Sequence, residues 1–84
     1  MKLRLVVKDD GPARTVEIHG ELVKEALPEL ERVCHPRAGL VIDLSNLRHV
    51  DSQATTRLRE LSVSGVALVG ASPFINMLIE VDRG

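Results

Sequence analysis

Chemically useful residues are densest where Asp51-Ser52-Gln53 opens one amphipathic stretch and Ser72-Pro73 opens another. Asp or Ser at such a point caps the free N–H groups of a first helical turn, and the positive helix end then favours an anion. The chemistry in prospect is therefore phosphoryl recognition or docking, with Thr56 and Arg57 one turn further along the same helix. The remaining reactive residues are scattered. Cys34 and His35 are neighbours on a helix and point away from each other, so they make no nucleophile and base pair. One Cys and three His cannot supply a four-ligand zinc spacing. Gly65 and Gly70 bracket a strand without the Lys or the spacing of a phosphate-binding loop, and read as punctuation. No catalytic set, metal or cofactor is expected. Asp43 stands in an otherwise apolar run and must be hydrogen-bonded or lie at the strand's open end.

The elements that must position these residues follow from periodicity. Leu3–Lys8 and Arg14–His19 alternate as half-buried strands, and Asp9-Asp10-Gly11-Pro12 between them predicts an antiparallel hairpin. Leu27, Leu30 and Val33-Cys34 recur at helical spacing from about Ala26, with Pro28 in the first turn, and His35-Pro36-Arg37-Ala38-Gly39 ends the helix. Leu40-Val41-Ile42-Asp43-Leu44 predicts a central strand covered above and below. Ser45 to Val50 reads as a polar loop. Ala54, Leu58 and Leu61 predict a second helix, N-capped by Asp51 and stopped by Gly65, followed by a strand over Val66–Val69. Ser72 as N-cap and Pro73 at the first position open a third helix.

The expected fold is α/β: a mixed sheet of four strands with three helices mainly on one face, in the order β-β-α-β-α-β-α. In crossover units the chain leaves the carboxyl end of a strand into its helix, so the second and third helices start along one rim, side by side. Two converging sets of N–H groups there would accept an anion.

The 84 residues, 44% hydrophobic and 27% charged, fit one globular domain over 1–84. A net charge of −1 with both signs interspersed leaves no basic footprint, so nucleic acid is not an expected partner. A single Phe, with no Trp or Tyr, removes the usual stacking platforms, and any binding surface must be aliphatic and polar. A lone Cys34 and the absence of a run near the roughly 18 apolar residues of a membrane span point to a reducing, cytoplasmic setting without direct membrane insertion.

Gly20-Glu21-Leu22, then Leu40-Val41-Ile42-Asp43-Leu44-Ser45-Asn46-Leu47 running into Val50-Asp51-Ser52, and finally Leu68-Val69-Gly70-Ala71-Ser72-Pro73 resemble the STAS domain of anti-sigma factor antagonists and sulfate transporters. The resemblance spans nearly the whole chain. It implies a mixed sheet with packed helices, no catalysis, and docking to a protein partner such as an anti-sigma factor or switch serine kinase. It also implies a phosphorylation site beside the Asp of Val-Asp-Ser. Antagonists of the sporulation type use the second residue after that Asp, here Gln53, and the stressosome type uses the first, here Ser52. Ser52 is thus the hydroxyl left to modify. The partner-binding residues expected on this resemblance are Asp51, Ser52, Gln53, Thr56, Arg57 and Ser72. The Asp that often follows Gly-x-Leu is Val23 here, and relatives continue past the third helix, so a C-terminally trimmed domain is expected. Two other functions fit the same features: a structural subunit of a bacterial lipid-transport ABC system, and a small-anion or nucleotide sensor.

Phe74, Ile75, Met77, Leu78, Ile79 and Val81 cover an arc of about 200° on the third helix, wider than the roughly 100° a surface helix buries. Phe74, Met77 and Val81 are the candidate patch for a homodimer or another partner. The homodimer version predicts a dimer mass by size exclusion with light scattering at high micromolar concentration, and a clean monomer removes it.

Overall fold

Strand alternation over Leu3–Asp10 (β1) and Ala13–Leu22 (β2) produces an antiparallel hairpin that pairs Leu3 with Gly20 and Asp10 with Ala13. Only Gly11 and Pro12 are left for the turn, Gly11 at φ +62°. In the computed structural model, which describes residues 3–34 and 39–81, a single 3-10 turn over Lys24–Ala26 runs into α1 (Leu27–Val33) with Pro28 in its first turn. The segment expected to end this helix, His35 to Ala38, lies outside the described residues.

The chain returns as β3 (Leu40–Asp43), parallel to β2, and β5 (Ala67–Val69) is parallel to β3 on the far side. Between them come β4 (Leu47–Val50) and α2 (Ser52–Val63), and α3 (Pro73–Val81) closes the order. The sheet therefore has five strands, not four: the stretch read as a polar loop contains β4, paired in parallel with the last residues of β2. The correction has a local cause. A register shift between Gly20 and Glu21 leaves Arg48 without an opposing residue, so Arg48 and His49 both face solvent. The alternation that marks a strand is erased by that bulge.

β3 and β4 thus share one edge of β2, separated by a jog. Leu44 donates its N–H to Val69 O at 2.8 Å, Leu47 closes a turn onto Leu44 O, and Gly20 donates to Asn46 O at 3.0 Å. Asp43 holds the jog by accepting from the Ser45 backbone N–H at 2.9 Å and from the Ser45 hydroxyl. This carboxylate is therefore both hydrogen-bonded and at the open end of its strand, as its apolar neighbours demanded. Gly70 (φ +74°) passes so close that a β-carbon there would overlap Ser45 Oγ and come within 2.9 Å of Asp43 Oδ1. It is a contact residue as well as punctuation.

All three helices cover one face. Val16, Ile18, Ile42 and Leu44 point into it and are fully buried with Leu30, Leu58 and, at 1% exposure, Leu61 and Ile75. The opposite face carries Thr15, Glu17, His19, Val41 and Asp43, all half-buried. The central strand is consequently covered on one side only, and Val41 owes its partial burial to flanking strands. Middle position falls to α2, which packs on α3 and is tied to α1 by Arg57 and Glu31. Cys34 is core, and burial pushes its thiol up to about 11.

Gly70→Ala and Gly11→Ala separate contact from conformation. Both force alanine into the left-handed region at about 1 kcal/mol, but Gly11 has open space around it. Gly70→Ala should lose a further ~1–3 kcal/mol through overlap with the jog, read as a lower urea midpoint at unchanged slope. Equal midpoints would refute the close contact.

Candidate functional site

Asp51 governs the start of α2. One carboxylate oxygen accepts the Ala54 N–H at 2.8 Å, as an N-cap should, and the other accepts the Lys24 N–H at 2.8 Å from the turn before α1. Its own N–H donates to Leu22 O, continuing the β2–β4 ladder. The bond from Ala54, and with it that from Lys24, holds the carboxyl below its ordinary value despite partial burial. Thr55 is buried and donates its hydroxyl to Asp51 O; Thr56, exposed, donates to Ser52 O. The first turn is thereby closed from within, and Ser52 and Gln53 are left facing solvent.

Ser72 caps α3 in the same manner, its Oγ accepting the Ile75 N–H at 3.2 Å. Both helices follow strands that end at the carboxyl edge of the sheet, and those strand ends are not level. The strand feeding α3 ends beside Asp43 at the level of Glu17, whereas the strand feeding α2 ends at Leu22. Five residue steps along β2, from Glu17 to Leu22, separate the two strand ends by about 15 Å along the strand direction, so the rim is stepped. Each helix carries its own side-chain cap, Asp51 for α2 and Ser72 for α3.

Arg57 is less available than its place on α2 implied. It forms a two-pronged ion pair with Glu31 at 2.5 and 2.8 Å and reaches Glu60 at 3.2 Å, so its half-buried guanidinium joins α1 to α2. The outward stripe of α2 is instead Ser52, Thr56, Glu60 and Val63, the last 83% exposed. On α3, Ile75 and Ile79 are buried while Phe74 and Met77 are 55% and 52% exposed. The wide apolar arc is thus divided between core and surface. The side chain of Val81 lies outside the described residues.

Sequence reasoning missed two groupings. One is the Asp43, Ser45 and Gly70 contact at the step of the rim. The other lies on the helix-free face, where Lys8 pairs with Glu17 at 2.8 Å and His19 Nε2 lies 3.0 Å from the same carboxylate, lowering the Glu17 pKa. Alternation places all three on one face and could have signalled the second; the first depends on the register of β5.

No protein-family model and no curated protein matches the sequence. Solved structures do. The STAS domain of an antisigma-factor antagonist from Rhodobacter sphaeroides superimposes with a TM-score of 0.65 at 18% identity, over 84% of this chain and 92% of that one. An uncharacterized protein with a SpoIIAA-like fold from Shewanella loihica PV-4 gives a TM-score of 0.50 at 16% identity, over 96% of this chain and 77% of that one. The fold is that of the STAS domain. Among the described residues no helix is long and apolar enough to cross a membrane.

Replacing Asp51 by Ala removes both the cap and the link to Lys24 and should cost about 1–2 kcal/mol at neutral pH. Because the folded-state pKa is depressed, this stabilisation is complete above the unfolded carboxylate value near pH 4 and is lost as pH falls through the folded value. Urea unfolding of the two proteins should show a gap that is constant at neutral pH and narrows as the pH falls below about 4. A gap unchanged over that range would refute the assignment.

Proposed function

We propose that the protein is a non-enzymatic regulatory module of the cytoplasm that docks a protein partner, an anti-sigma factor or a related switch serine kinase, through the first turns of α2. The observation carrying this reading is that Asp51 and Thr55 satisfy the start of α2 internally while Ser52, Gln53 and Thr56 remain exposed beside them. The fold shared with an antisigma-factor antagonist supports it. Arg57 is the brace that fixes α2 against α1, and Ser72 caps α3, the helix packed on the other side of α2.

Ser52 is the modification site in this reading. A phosphate at the first position of α2 gains from the positive helix end, and Arg48 and His49 are exposed on the strand leading into it. Asp51 opposes it, although both of that residue's oxygens are engaged by N–H donors. The exposed neighbours of Ser52 on α2, Gln53 and Thr56, are uncharged, so a phosphate would give a negative charge to the surface that the partner meets.

Recovery of the tagged protein from its native host should bring down a soluble serine kinase or anti-sigma factor. That kinase should add one phosphate, mapped to Ser52 and abolished in Ser52→Ala, and Ser52→Asp should weaken docking by about tenfold or more. Recovery of a membrane ATPase, or full docking by Ser52→Asp with no phosphate incorporated, would overturn the reading.

A further inference from the structure

Among the described residues, β1 hydrogen-bonds to β2 along one edge only. Alternate residues along its eight-residue length therefore turn N–H and C=O groups outward, an edge that proteins ordinarily shorten or cover. The opposite edge, β5, is only three residues long. Beside β1, on the helix side, lies an open groove of about 570 Å³ lined by Leu3, Leu5, Ala26, Glu25 and Glu29. Its floor is apolar and half-buried, and its rim carries two exposed carboxylates one helical turn apart. Glu29 meets a cation only at 3.7 Å, in a pair whose members are 75% and 60% exposed, which neutralises it weakly.

We propose that the β1 edge and this acidic groove form a second docking surface, which takes an extended segment of a partner protein as a sixth strand. Side chains of that segment pointing to the helix side are apolar over Leu3 and Leu5 and basic beneath Glu25 and Glu29. Those pointing to the other face are acidic or neutral, because Arg4 and Lys8 stand there. This is strand addition, in which backbone bonds give affinity and alternate side chains give selectivity.

In the two registers that pair the most of β1, a second copy of this chain fits poorly. Two-fold pairing of β1 centred on Val6 sets Arg4 opposite Lys8 of the other copy, twice. Centred on Val7, it sets Leu5 opposite Asp9 on the apolar side. Either arrangement also brings the two sets of groove carboxylates toward each other, so charge selects a basic partner. The proposal is independent of the α2 surface, and Ser52→Asp should leave it unchanged.

The test is a titration of isotope-labelled protein with the acetylated peptide Thr-Arg-Glu-Val-Glu-Arg-Thr, followed by amide shifts. Shifts should be confined to Leu3–Lys8 and Glu25–Glu29, with a dissociation constant below about 1 mM. A scrambled peptide of the same composition should fail. The exposed double change Glu25→Lys, Glu29→Lys should weaken binding about tenfold or more, and replacing only the two Arg of the peptide by Glu should restore it. Absence of shifts, shifts centred on α2, or protection of the β1 edge by self-association without peptide would each overturn the proposal.

Discussion

One edge of β2 has to serve two strands, and the remaining geometry depends on how it does so. The chain runs along β2 as β3, steps aside through Leu44–Asn46, and resumes as β4 on the same edge. The step is held by the Asp43 carboxylate, by Gly20 at φ +99° donating to Asn46 O, and by the absence of a side chain at Gly70. With the jog, the strand that feeds α2 ends beyond the ends of β3 and β5.

That placement would leave the start of α2 poorly braced were it not for two charged side chains used as joints. Asp51 ties the first turn to the turn before α1, and Arg57 ties the next turn to Glu31 on α1. Both are polar interactions between elements far apart in sequence. They allow the exposed residues at the start of α2, Ser52, Gln53 and Thr56, to be uncharged, since the work of positioning is done on its inner side and flanks. Rigid support beneath a neutral, accessible surface suits a docking element whose character a single added charge can change.

The helix-free sheet face follows a different rule. Its central residues are only half-buried, and charge rather than a covering layer compensates them: Lys8 and His19 both converge on Glu17. Such a face needs no second layer, because the strands themselves shield the aliphatic parts of these side chains. Among the described residues the edge of β1 is the one long boundary left open, and its asymmetry of charge, acidic on the helix side and basic on the other, separates it from an edge prone to pairing with itself.

Local patterns determined a great deal. Alternation specified the hairpin, helical spacing specified three helices and their buried stripes, and Asp51 and Ser72 were recognisable as caps because capping depends on residues three apart in sequence. The Asp43-Leu44-Ser45 and Val50-Asp51-Ser52 fragments were sufficient to suggest the fold. What required tertiary structure was everything set by register between distant segments. The fifth strand was hidden because a bulge opposite Gly20 puts Arg48 and His49 on the same side, erasing the period of two. The stepped rim, the second partner of Asp51 and the engagement of Arg57 were likewise invisible. Each depends on which residue of one strand or helix lies beside which residue of another, and a pattern within one segment carries no information about its offset from the next.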